Sequence, residues 1–137
     1  MAQPADFGFG PEEQLLRDSA RRLLAERAGI EKLRALVARD GSSAYQVEPP
    51  PAAWDAELWR RMAELGWSGL ASPAEAGGAD LGGVALAALA EEIGRAALPS
   101  PLPATLLASC ALREAEASAA LPWQSRIAGG APAALAI

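Results

Sequence analysis

Histidine is absent from all 137 residues, and cysteine occurs once, as Cys110. Without histidine there is no Ser-His-Asp triad, no Cys-His pair and no ordinary His-ligated metal site. A lone cysteine makes neither an internal disulfide nor a Cys-rich metal centre. It fits a reducing cytoplasm, and Cys110 reads as a small buried hydrophobe on a helix. Aromatic residues are 5% of the chain. The apolar content is mostly Ala and Leu, which favours close-packed helices over a sheet. Long apolar runs are missing too: the longest, Leu81 to Ala90, is about half of what a membrane span needs. No basic segment followed by an apolar run opens the chain, and Asp6, Glu12 and Glu13 are the wrong charges for a signal peptide. A dinucleotide fingerprint is also lacking. Gly77-Gly78 has neither GxGxxG spacing nor a preceding strand, and Gly8-Phe9-Gly10 is too short.

What is present is a chain long enough for one domain with a core, 51% apolar, with net charge −5 and a pI near 4.7. That acidity argues against a nucleic-acid backbone as partner and reads as solubility. The expectation is a soluble, cytoplasmic protein with no membrane span.

Periodicity then places the elements. Residues 1–10 carry no pattern and read as an arm, with Phe7 and Phe9 able to dock. Pro11 suits a first helical position, and Glu12 and Glu13 suit the positive end. Leu15, Leu16, Ser19, Ala20, Leu23 and Leu24 form the stripe of a helix of about four turns. Gly29 interrupts it, and Ile30, Leu33, Leu36 and Val37 predict a second helix ending near Arg39. Asp40 to Ala53, with Pro49-Pro50-Pro51, reads as a surface loop. Asp55 caps a third helix to Leu65. A fourth, from near Leu81 to near Ala97, is apolar almost all round and predicted to be buried on most of its surface. In it Glu91 and Arg95 form an exposed i,i+4 pair. Pro99, Pro101 and Pro103 make an extended connector, and Ala104 to Glu114 returns to helical spacing. Glu116 to Ala120 is a helical turn, Leu121-Pro122-Trp123 breaks it, and Arg126 to Ala128 is one more turn. Ala133 to Ile137 looks like the opening of a β-strand.

The most informative stretch is WRRMAELGWSGLASPAEAGGADL, Trp59 to Leu81. Leu58, Trp59, Met62 and Leu65 share one helical face, and Gly66 stands where a left-handed cap is expected. Trp67 to Leu70 reads as a buried crossing. Pro73 and Gly77-Gly78 force a tight bend, and Asp80 is placed to cap the next helix.

The ordered set Trp-Arg-x-x-Ala-Glu-Leu-Gly-Trp-x-Gly-Leu-x-x-Pro-x-Glu-x-Gly-Gly resembles the signature of the N-terminal helical domain of flavin-dependent acyl-CoA dehydrogenases. ALAALAEEIGRAALPSPL, Ala85 to Leu102, is similar to that family's next helix and turn, and FGFGPEEQLLRDSARRLLAE to its first helix. The resemblance implies an all-α fold, an orthogonal bundle of about five to six helices. Its division is an arm at 1–10, the helical domain at 11–128, and the start of a middle β-domain at 129–137.

By the same resemblance, the parent enzyme desaturates an acyl-CoA thioester at the α,β positions. A base removes the α-proton and FAD takes the β-hydrogen as hydride. It would be a homo- or hetero-oligomer passing electrons to an acceptor such as an electron-transfer flavoprotein, in fatty-acid or sterol breakdown or secondary metabolism. The family's base and main flavin contacts lie beyond this domain, so no catalytic or cofactor-binding residue is assigned and the 137 residues alone are expected to be inactive. The acyl pocket's wall maps to Leu102, Pro103, Thr105 and Leu106; ordinary interhelical core is the competing reading for each. Glu91 and Glu92 point about 100° apart and read as a solvated helix end. Glu75 reads as fixing its turn through a backbone hydrogen bond. Two other functions fit the same residues: a non-catalytic partner subunit of a heteromeric dehydrogenase, and a stand-alone helical interaction domain.

Overall fold

A computed structural model describes residues 8–39 and 54–136. They form α1 (Pro11–Arg27), α2 (Ile30–Arg39), α3 (Ala56–Glu64), a 3-10 turn (Ala74–Ala76), α4 (Gly83–Arg95), α5 (Leu102–Arg113) and α6 (Ala117–Ala128). The described residues hold no strand and no helix long and apolar enough to cross a membrane. Phe7 and the predicted 40–53 loop lie outside them. Phe9 is half-buried, with the Arg17 guanidinium 5.2 Å above its ring.

The start signals work where side chains can reach. Pro11 opens α1. Asp55 caps α3, its carboxylate accepting from the amides of Glu57 and Leu58 at 2.9 and 3.0 Å. The stop signals follow one pattern three times. After α3, Gly66 (φ 81) donates to the Ala63 carbonyl and Trp67 to that of Met62. After α6, Gly130 (φ 95) and Ala131 do the same to Ile127 and Arg126. After α4 the left-handed position is held by Ala97 (φ 48), which donates to Gly94 while Leu98 donates to Ile93. These are Schellman closures, and the alanine carries a Cβ strain that the glycines avoid.

The core joins α1 (Ala20, Leu24), α3 (Leu58, Trp59, Met62), the crossing (Trp67, Leu70), α4 (Leu89, Ile93) and α5 (Leu102, Leu106). Leu15, on the predicted stripe of α1, is exposed, as is Leu65. Helix α4 is less enclosed than expected: Ala85, Ala88, Leu89, Glu92 and Ile93 are buried, but Val84, Ala87 and Ala90 face out. The tertiary partner, α1, covers only one side of it.

Glu92 corrects the expectation of a solvated end. Its side chain is 1% exposed. Arg17 and Arg21, one turn apart on α1, reach it at 3.1 and 2.7 Å, and Arg95 closes from its own helix. Arg95 thus pairs with Glu92 rather than Glu91, which takes Arg17 at 3.3 Å. Packing α4 on α1 turns Glu92, not Glu91, toward the neighbouring arginines.

Helix α6 is a second correction. It runs unbroken from Ala117 through Pro122 to Ala128. An interior proline costs about 3 kcal/mol, having no amide to give and a ring that crowds the preceding turn. Buried Ala120, Gln124 and Ile127 flank it and hold both halves on one axis. A third concerns the C-terminal segment: residues 131–136 are irregular, not a strand. A strand needs a partner ladder, and Ala133 bonds instead to the Thr105 hydroxyl.

The Arg21 guanidinium above all, then Arg95 and Arg17, hold the Glu92 carboxyl down to about 2 against the opposing push of burial. A depressed folded-state value stabilises the protein above the ordinary carboxylate value of 4.5, and that contribution is lost as pH falls from 4.5 toward 2. Glu92→Gln is expected to destabilise the fold by about 2 kcal/mol at neutral pH. In urea unfolding at a series of pH values, the gap from wild type should close as the pH approaches 2. A gap independent of pH would mean that the carboxylate's charge is not what the arginines hold.

Candidate ligand groove

The groove is built on the corner between α3 and α4. Trp67, Ser68, Gly69, Leu70, Ala71 and Ser72 are all buried, so their peptide groups need protein partners. Four consecutive carbonyls have them. Gly69 accepts from the Ala79 amide at 3.0 Å, Leu70 from Leu81 at 2.8 Å and Ser72 from Asp80 at 2.9 Å, while Ala71 takes the Arg113 guanidinium at 2.9 Å. The same Arg113 pairs with Asp80 at 2.8 Å. Asp80 is therefore drawn to α5 and does not cap α4, whose N-cap is Gly82 without a side-chain bond. Glu75 is exposed, and backbone bonds from Gly77 to Ala74 and from Gly78 to Pro73 close its turn. Gly77 has φ 81. Gly78 is required for a different reason: a Cβ there would lie 2.1 Å from the Ser72 carbonyl oxygen.

A buried polar knot fastens the corner to α5 and α6. The Gln124 side-chain oxygen accepts from the hydroxyls of Ser72 and Ser109, both at 2.7 Å, and its amide donates to the Ser109 carbonyl at 2.8 Å. The α6 backbone also crosses the corner closely, since a Cβ on Gly69 would come 3.0 Å from the Ala128 Cα. The two helices are thereby set side by side.

Residues of both helices beside that contact, together with the C-terminal segment, enclose a half-open groove of about 570 Å³. Ala108, Ala111 and Leu112 form one wall, Trp123, Arg126 and Ile127 the other, and residues 131–135 a third. Trp123 is 56% exposed, with the Arg126 guanidinium 5.1 Å from its ring centroid. The lining is apolar apart from that one cation, and suits an apolar group with little polar recognition. It does not suit the pyrophosphate of a dinucleotide, which calls for several converging N–H donors.

None of the four residues assigned to a pocket wall lines this groove. Leu102 and Thr105 are fully buried, Leu106 is nearly so, and Pro103 is exposed on the first turn of α5. Thr105 touches the groove's third wall through Ala133. The groove sits one to two turns further along α5. Its α6 wall, Trp123, Arg126 and Ile127, falls at helical spacing, a pattern hidden by taking Pro122 as a breaker. Cys110 is half-buried on α5. Among the described residues no three carboxylates or thiols gather as a metal site.

Residues 10–115 match the acyl-CoA dehydrogenase N-terminal domain family. The chain belongs to the acyl-CoA dehydrogenase family. It is 41% identical over 105 residues to the acyl-CoA dehydrogenase IpdE2 of Mycobacterium tuberculosis and 33% identical over 102 residues to IpdE2 of Mycolicibacterium smegmatis. Each alignment covers 74% of this chain and 29% of the relative. A solved steroid ACAD, Tcur3481-Tcur3483, superposes with a TM-score of 0.72 and 34% identity over 87% of this chain and 30% of that one. This acyl-CoA dehydrogenase chain thus spans somewhat under a third of the relatives it matches. The family match ends at 115, so the α6 wall of the groove lies outside it.

Gly78→Ala is expected to destabilise this acyl-CoA dehydrogenase domain by about 3 kcal/mol or more, because backbone rather than a flexible side chain must yield. Urea unfolding reads the effect. A midpoint equal to wild type would show that the corner does not close on Ser72.

Proposed function

We propose that the chain is the N-terminal helical part of an FAD-dependent acyl-CoA dehydrogenase and that its groove forms one wall of the acyl pocket. The observation that carries this is the apolar groove between α5, α6 and residues 131–135 in a chain of this family. Leu102, Thr105 and Leu106 would support the wall from behind. A flavin bound in the parent would supply the hydride acceptor for the β-hydrogen, and the resemblance puts its main contacts outside this helical domain. The contribution of this chain is to orient the thioester tail and exclude water from it. Residues from 129 onward would lead toward the middle β-domain.

The name of the steroid ACAD supports a bulky, ring-bearing acyl group as a candidate substrate. Its paired designation favours a second reading, in which a chain of this kind completes the pocket of a partner in a heteromeric dehydrogenase. Either way the cytoplasm, an acyl-CoA and an electron-transfer flavoprotein are the expected setting.

The test is to express the chain with whatever follows it in its reading frame, alone and with a co-encoded relative. The visible spectrum should show flavin, and an acyl-CoA should reduce a dye acceptor. The 137 residues by themselves should not turn over. A colourless, inert product under both conditions would overturn the proposal. Within an active protein, Trp123→Ala should raise KM for an acyl-CoA about tenfold with little change in the unfolding midpoint, since the ring is largely exposed. An unchanged KM would remove the groove from the pocket.

A further inference from the structure

The Thr105 hydroxyl is fully buried yet faces three backbone atoms. The Pro101 carbonyl lies at 2.8 Å, the Ala133 carbonyl at 3.2 Å and the Ala133 amide nitrogen at 3.1 Å. The amide must donate to the hydroxyl oxygen. The hydroxyl's own proton goes to one of the two carbonyls, of which Pro101 is nearer and can accept it beside the Thr105 amide at 2.9 Å, so the fixed tie to residue 133 is the bond from its amide. The side chain is therefore committed to residue 133, and no donor remains for a ligand.

A second anchor holds the same segment three residues earlier. The buried Trp59 ring donates its Nε1 proton to the Gly130 carbonyl at 3.0 Å. Gly130 has φ 95, and a Cβ on it would sit 3.0 Å from that of Ala63. Between the anchors stands Pro132, with a fixed φ. Residues 130–133 are thus a short, stiff strap tied to α3 at one end and to α5 at the other. The strap and the residues just after it are the groove's third wall.

We propose that Thr105 is a specificity-positioning residue: through Ala133 it sets how far the strap stands from α5, and so which acyl shapes the groove admits. This rests on the reading of the groove as part of an acyl pocket. The anchoring itself rests only on the hydrogen bonds above. Losing the hydroxyl frees the strap to move outward, and a bulky ring gains access more than a straight chain does. The effect belongs to binding and not to the chemical step, because Thr105 does not reach the ligand.

The experiment compares wild type, Thr105→Val and Thr105→Ser in the active, flavin-loaded protein. Valine keeps the shape and removes the hydroxyl, while serine keeps the hydroxyl. Two readouts are taken: amide exchange at Ala133, and KM and kcat for octanoyl-CoA and 3-cyclohexylpropanoyl-CoA. With valine, Ala133 should exchange about tenfold faster. The KM ratio of the two thioesters should shift about threefold or more toward the ring-bearing one, with kcat within about twofold of wild type. Serine should behave as wild type in both readouts. Unchanged exchange with valine overturns the anchoring. Faster exchange with an unchanged KM ratio overturns the role in specificity. If neither thioester is a substrate for any variant, the acyl-pocket reading fails, and the exchange result alone decides the anchoring. Should Thr105→Val fail to fold, Trp59→Phe loosens the strap at its other end and is read the same way at Ala131 and Ala133.

Discussion

Six residues, Trp67 to Ser72, pass through the interior without being a helix or a strand, and the last four of their carbonyls are met by groups brought from elsewhere. Ala79, Asp80 and Leu81 meet three of them and so fold the chain back on itself. Arg113 meets the fourth and fixes the end of α5. The Ser72 hydroxyl adds Gln124 and so fixes α6. The placement of the last two helices, and of the groove between them, follows from how this one crossing satisfies its polar groups. Backbone buried without partners costs roughly 1–3 kcal/mol per group, more than most single apolar contacts contribute.

The other half of the domain is held in a different way. Helices α1 and α4 share an apolar seam, and at its edge one carboxylate serves three guanidinium groups. The arrangement is directional where the apolar seam is not. Only one rotation of α4 places Glu92 opposite Arg17 and Arg21. It leaves Val84, Ala87 and Ala90 facing outward on a helix whose composition would have allowed burial all round.

The chain belongs to the acyl-CoA dehydrogenase family, and its described residues carry an apolar groove and gather no three metal-ligating side chains. The chain corresponds to under a third of each relative it matches. Its groove is shaped by helix packing and by a strap whose two anchors, Trp59 and Thr105, lie far apart in sequence. The position of that third wall is thus fixed by contacts that the lining residues themselves do not reveal.

By itself the sequence determined the first five helices, the capping aspartate at 55, the glycine stop at 66, the buried crossing and the family. The family rests on an ordered set of motifs along the chain; each of the others depends on residues within a few positions of one another, where periodicity and backbone geometry act directly. Tertiary structure alone decided the burial of Glu92, the continuity of α6 through Pro122, the capture of Asp80 by Arg113, and the loss of strand character after 131. In all four a distant partner outweighs the local preference: three arginines, a buried flank on either side of a proline, a guanidinium at the corner, and a threonine hydroxyl in place of a neighbouring strand. The candidate wall residues show the same division. Their stretch of chain was legible, but which of its faces looks into a groove depends on where α6 and the strap come to rest.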